Sequence, residues 1–201
     1  MISKNKKFIF IHIPKTGGNS IQNILKDYSD DEIVIKKKNE DGSLEMFEVK
    51  NTTFSTGKHS VGIRYKNRWN SDVYGDYNDY YKFATIRNPW ERLISLYFTQ
   101  NSGRKVWNKD LFIHKVKKEP IWRSMSSFMN NININAIIRF ENLDEDFDKV
   151  CNELKIPTTK LPHVNKTSRE HYTKYYDQEL LNLVLKYYKD DINNFNYKFG
   201  K

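Results

Sequence analysis

FIFIHIPKTGGNSIQNIL, residues 8–25, is the stretch on which the reading of the chain turns. An apolar run stops at Pro14, Lys15, Thr16, Gly17 and Gly18, and a helical pattern follows. A continuous apolar run over 7–13 predicts a strand buried on both faces. The spacing after it predicts a helix from about Ser20 to Tyr28. The turn between them therefore leaves the carboxyl end of a buried strand, the edge where open α/β sheets bind ligands. Gly17 and Gly18 let the main chain turn tightly and approach a ligand. Successive N–H groups backed by a helix N-terminus form a cradle for an anion. Lys15 adds a mobile charge, and Thr16, Asn19 and Ser20 add polar donors. A phosphate group suits such a turn. In the common ATP-binding loop the Lys follows the last Gly and a Ser or Thr comes next to hold Mg²⁺. Here the Lys precedes both glycines, and an ordinary turn capped by Ser20 is the competing reading.

Outward from this turn, strands and helices alternate. YKFATI, 81–86, predicts a second buried strand, and NPWERLISLYF a helix with Asn88 as N-cap and Pro89 at the first helical position. This repeats the first arrangement. Arg87 ends the strand, and Ser95 stands eight residues later on the helix. Arg forks onto phosphate oxygens, and a Ser two turns along reaches the same group. Arg87 paired with an acid and Ser95 merely packed is the alternative. NAIIRFENL predicts a third strand, DEDFDKVCNEL a helix ended before Pro157, and DQELLNLVLKYYKDDINNF an amphipathic C-terminal helix. EIVIKKK and LEMFEVK flank an Asp-Gly turn signal and predict a hairpin. No repeat or flexible linker interrupts the chain. The pattern predicts one domain over 1–201, an α/β sandwich with a central parallel sheet.

Composition sets bounds on function. Of 201 residues, 38% are hydrophobic and 14% aromatic, which fits a globular chain and not a disordered one. The formal charge of +9 points to an anionic ligand: nucleic acid, a phosphorylated nucleotide or an acidic glycan. A single cysteine, Cys151, excludes an intrachain disulfide and calls for no oxidising compartment. No apolar run is long enough to span a membrane. The expected location is the cytoplasm.

HIPKTGGNSI together with FATIRNPWERLISLYF resembles the sulfotransferases that use 3′-phosphoadenosine 5′-phosphosulfate. AIIRFENLDEDF and the segment from LPHVNKTSREHY to NNFNYKF resemble the carbohydrate-type branch of that superfamily. The similarity runs from residue 8 to residue 199 in the expected order. The Gly-rich C-terminal loop of the cytosolic small-molecule enzymes and the membrane anchor of the Golgi enzymes are absent from the sequence. The resemblance implies a three-layer, P-loop-NTPase-like fold. It also implies a first loop (Lys15, Thr16, Gly17, Gly18, Asn19, Ser20) that holds the 5′-phosphosulfate, and Arg87 with Ser95 on the 3′-phosphate. The product would be 3′,5′-adenosine bisphosphate, and no metal is needed.

Sulfuryl transfer is an in-line displacement driven by positioning and electrostatics. Lys15 would meet the charge that develops on the leaving phosphate. The acceptor hydroxyl needs a base. Of His12, His59, His114, His163 and His171, His59 in STGKHSVGIRY matches the position where carbohydrate-type relatives carry a Lys-His pair, and it is the expected general base. His12 lies inside the first strand and reads as structural. Lys58 reads either as an assistant or as a solvated side chain. Lys166, Thr167 and Arg169 read equally as contacts to the 3′-phosphate or as a solvated basic loop. Residues 102–135, with Arg104, Lys105, Lys109, Lys115, Lys117 and Lys118 near Trp107 and Trp122, are the expected acceptor insertion. Aromatic faces stack on sugars and cations attract acids, so a glycan, including an acidic one, fits. A small-molecule or sugar kinase would instead place the Lys after the glycines and supply a Mg²⁺ carboxylate. A nucleic-acid-binding protein would explain the charge but not two phosphate motifs at strand ends, so no nucleic-acid partner is expected.

Overall fold

The computed structural model describes residues 1–40, 42–100, 106–162 and 169–200. Among them the elements run β1 (Ile2–Ser3), β2 (Phe8–Ile11), α1 (Gly18–Leu25), β3 (Glu32–Lys38), β4 (Leu44–Asn51), β5 (Thr56–Gly57), α2 (Ile63–Asn67), α3 (Ser71–Tyr74), β6 (Tyr81–Ile86), α4 (Pro89–Gln100), α5 (Lys109–Lys118), α6 (Ser126–Met129), β7 (Ala136–Arg139), α7 (Leu143–Leu154), α8 (Gln178–Tyr187) and α9 (Lys189–Asn194). The chain divides into two compact units, each drawn from two stretches of sequence. The first takes the described residues of 1–86 and 128–165, the second those of 87–127 and 166–201. Among the described residues no helix is long and apolar enough to cross a membrane.

In the first unit a four-stranded sheet has the order β1-β2-β6-β7. Strands β2, β6 and β7 are parallel, with Phe8 opposite Tyr81, Ile11 opposite Ala84 and Ile86 opposite Arg139. Phe8, Ile9, Phe10 and Ile11 are each at most 1% exposed, as expected of a strand covered on both faces. The ladder is shorter than the apolar run. It ends at Ile11, and His12 and Ile13 already belong to the turn. The antiparallel edge strand β1, two residues long, has too few positions to leave a periodic signal. Phe8, Phe10, Phe83 and Ile138 of the sheet meet Ile21 and Leu25 of α1 and Phe147, Val150, Cys151 and Leu154 of α7 in one core. Cys151 is a small core residue, and burial pushes its thiol up to about 11. Asp144, Glu145 and Asp146 occupy the first turn of α7, where the helix dipole favours carboxylates.

The expected hairpin forms between β3 and β4, with Ile35 opposite Phe47, and β5 extends it into a second sheet. Gly42 turns the hairpin at φ +80°, while Asp41 lies outside the described residues. Leu44, Phe47 and Val49 of β4 join the core. Asn23 of α1 donates to the Leu44 carbonyl at 3.1 Å and accepts from its N–H at 2.6 Å. The hairpin is thus fastened to α1.

In the second unit Asn88 caps α4, its Oδ1 accepting from Trp90 and Glu91 N–H at 3.1 and 3.3 Å. Arg92, fully buried, donates to the carbonyls of Arg123 and Ile121. Asp191, also fully buried, accepts from Met125 N–H, Ser126 N–H and Ser126 Oγ, each at 2.7 Å. The single C-terminal helix expected over 177–195 is two helices, α8 and α9, because Tyr188 leaves helical geometry at φ −125°. Its buried side chain donates to the Trp122 carbonyl instead.

Candidate functional site

The turn after β2 is built from two left-handed residues, Lys15 at φ +66° and Gly17 at φ +84°. The αL region costs a non-glycine residue about 1–2 kcal/mol, and such strain collects at functional sites. Gly17 is glycine for a second reason. A Cβ there would lie 2.9 Å from the Phe140 ring and 3.0 Å from Leu143. Both residues belong to the junction of β7 and α7, which packs against this turn. Gly18 opens α1, and a Cβ there would meet the His12 ring at 2.2 Å. At both glycines the space that a Cβ would need is taken by the protein's own side chains.

The polar residues of the turn divide by orientation. The Thr16 hydroxyl is fully buried; it donates to the Ile13 carbonyl at 2.7 Å and lies 2.5 Å from Thr85 Oγ1 on β6. It ties the turn to the sheet. Ser20 Oγ donates to the Pro162 carbonyl at 2.7 Å. Lys15, Gly17 and Asn19 are the half-buried members.

Three further side chains gather on the same unit. His59 Nδ1 lies 3.2 Å from the His12 carbonyl. A carbonyl only accepts, so Nδ1 carries the proton and Nε2 is the basic nitrogen. The His12 and His59 rings meet edge to face at 4.5 Å, and His12 Nδ1 lies 2.9 Å from Gln22 Oε1. Burial, reinforced by His59 and Lys58, holds His12 well below the usual imidazole range, so it is neutral at pH 7. Lys58 is half-buried, with Nζ 3.0 Å from the Phe47 carbonyl and 3.5 Å above the Phe47 ring. Burial lowers it to about 8; Glu48 opposes this and the charge of Lys15 adds to it. Among the described residues no ion pair includes Lys58. A half-buried cation that feels a second cation, and whose ammonium forms no direct ion pair with Glu48, is an arrangement that an anion relieves.

The second unit carries the other motif. Glu91 and Ser95 lie on α4, and Arg87, two residues before the helix, continues the same spacing of four. Arg87 Nη2 lies 2.8 Å from Glu91 Oε1, and Arg169 Nη2 lies 3.0 Å from the same oxygen. Ser95 is buried. Arg169, ambiguous in the sequence, thus shares a carboxylate with Arg87. Lys166, Thr167 and His163 lie outside the described residues, as do Arg104 and Lys105. His114 is exposed on α5, and His171 is exposed with Nδ1 2.8 Å from Thr173 Oγ1.

The expected acceptor face is smaller than its composition suggests. Trp122 is fully buried and donates to Gln100, so it stacks on no ligand. Trp107 packs against Tyr97, Phe112 and Tyr175. Lys109 is bound by Asp177 and Glu179, and Lys115 by Glu119. Lys117 and Lys118 remain exposed.

The sulfotransferase family model matches residues 1–198, and the chain belongs to that family. It is a transferase whose chemistry is sulfuryl transfer. Neither the curated proteins nor the solved structures include a significant match.

Proposed function

We propose that the chain transfers the sulfuryl group of 3′-phosphoadenosine 5′-phosphosulfate to a carbohydrate hydroxyl and releases 3′,5′-adenosine bisphosphate. The observation that carries this reading is the set of Lys15, Lys58 and His59 around the turn after β2. It joins cations for an anionic donor to an imidazole in the tautomer a base requires. Lys15 stabilises the leaving phosphate, whose charge rises as the bond from sulfur to the bridging oxygen breaks. His59 Nε2 takes the acceptor proton as the new sulfur–oxygen bond forms. The main-chain N–H groups of Gly17, Gly18 and Asn19 complete the phosphosulfate cradle, with Thr16 and Ser20 holding its shape. Arg87, Arg169 and Ser95 receive the 3′-phosphate, and Lys166 and Thr167 are assigned to the same group from the sequence. No residue is assigned to a metal.

The family match runs through both units and supports one catalytic domain over 1–201. The parallel β2, β6 and β7 with the turn into α1 support a P-loop-NTPase-like sandwich. Exposed Lys117 and Lys118 favour an anionic glycan as acceptor, and the lone buried Cys151 suits a reducing cytoplasm. The test is a thermal-shift comparison followed by transfer of radiolabelled sulfate to a panel of glycans, peptides and phenols. The bisphosphate should stabilise the fold more than ATP with Mg²⁺ does. Clear superiority of ATP with Mg²⁺ would sink the donor assignment.

A further inference from the structure

Arg87 and Arg169 come from the two separate stretches of the second unit, yet each places an Nη2 on Glu91 Oε1, at 2.8 and 3.0 Å. The arginine side chains are 10% and 9% exposed, and that of Glu91 is 29% exposed. Two desolvated guanidiniums held together repel unless an anion lies between them. Here the chain supplies that anion itself. A carboxylate oxygen and a phosphate oxygen present the same acceptor to a guanidinium fork. Glu91 is the third residue of α4, where a Glu ordinarily reaches back to the N-cap N–H. This one turns to the arginines instead, while its own N–H is held by Asn88 Oδ1. Its main chain is fixed in the helix, so rotation of the side chain alone withdraws the carboxylate, toward the solvent it already meets.

We propose that Glu91 is an internal stand-in for phosphate. It keeps Arg87 and Arg169 in register while no ligand is bound, and it yields both Nη2 groups when the 3′-phosphate arrives. Glu91 thereby sets the affinity and the anion selectivity of this site. The inference rests on the donor reading above. A phosphate dianion that entered with the carboxylate still in place would meet a like charge on the same donors, so binding includes the work of displacing Glu91.

The test is calorimetric titration of the wild type, Glu91→Gln and Glu91→Asp with 3′,5′-adenosine bisphosphate, adenosine 5′-phosphate and inorganic phosphate. Glu91→Gln keeps the shape and an acceptor oxygen but removes the charge. Glu91→Asp keeps the charge but is too short to hold both forks, and it serves as the second variant if the first unfolds. Both should bind the bisphosphate more tightly, Glu91→Gln by about tenfold, the scale of one like charge removed from a partly screened site. Affinity for adenosine 5′-phosphate, which lacks the 3′-phosphate, should not change. Bisphosphate affinity that is unchanged or weaker in both variants overturns the stand-in role and leaves the donor reading intact. A wild type that binds the bisphosphate no better than adenosine 5′-phosphate overturns the donor reading. Inorganic phosphate then decides the stand-in role by itself: tighter binding to Glu91→Gln supports it, and unchanged binding refutes it.

Discussion

At the scale of the residue, Lys15 combines a charge with a strained main chain, and two substitutions separate them. Lys15→Ala removes the charge and keeps a side chain at φ +66°. Lys15→Gly removes the charge and the strain together. Bisphosphate affinity should fall alike in both, by roughly tenfold or more, because the lost interaction is with an anion. Stability should differ. The αL penalty of about 1–2 kcal/mol exceeds the added chain entropy of glycine, about 0.5–1 kcal/mol, so Lys15→Gly should be the more stable variant. Chemical denaturation and calorimetry read the two quantities separately, and wild-type affinity in Lys15→Ala would remove the lysine from the donor site. His59 has the opposite profile. His59→Ala should bind the bisphosphate as the wild type does and lose about 100-fold or more in single-turnover transfer, the scale of a missing general base. Normal turnover would move the base elsewhere, to Lys58, His12 or His114.

At the scale of the element, the join of β2 to α1 depends on one missing methyl group. A Cβ at Gly18 would sit 2.2 Å from the His12 ring, with Gln22 behind that ring at 2.9 Å. Gly18→Ala should cost about 1–3 kcal/mol, the scale of overpacking a filled interior. Truncating the ring as well, in Gly18→Ala with His12→Ala, should cost less than the two single changes add up to. Strict additivity in urea denaturation would show that the two do not meet. This contact marks the limit of what the sequence discloses. The turn itself was legible: an apolar run, two glycines and a helical period identify a strand, a tight connection and a helix from local pattern alone. Asn88 and Pro89 likewise announced the start of α4. The reason for Gly18 was not legible, because it lies in a ring six residues earlier that reads as one more position of a strand. Lys58 was ambiguous because its burial comes from Phe47 on a hairpin that only tertiary packing brings near. The junction at Tyr188 was invisible for the same reason: its hydrogen bond to Trp122 overrides a helical period that continues through it.

At the scale of the whole molecule, a buried neutral histidine and a half-buried lysine make stability and ligand binding depend on pH. His12 is held neutral, its pKa well below the ordinary 6.5, so the unfolded chain binds a proton there that the folded chain refuses. Stability should therefore be intact above pH 6.5 and fall as the pH drops from there toward the folded value, by at most about 1.4 kcal/mol per pH unit for one proton. His12→Gln should flatten the fall in thermal melts between pH 6.5 and 5. Lys58 acts in a higher window. It is lowered from 10.5 to about 8, so near pH 8 the folded chain carries about half of that charge. An anion bound beside Lys58 favours the ammonium and raises its pKa again. Binding of the bisphosphate at pH 8 should then take up roughly half a proton, and affinity should decline as the pH rises from about 8 toward 10. Calorimetry in two buffers of different ionisation enthalpy measures the uptake directly. Lys58→Met keeps the apolar stem over Phe47 and removes the titrating group, so its uptake should vanish and its affinity should lose the decline. Tight wild-type binding with no proton uptake at pH 8 would show that Lys58 does not face the donor, and the cationic set around His59 would reduce to Lys15 alone.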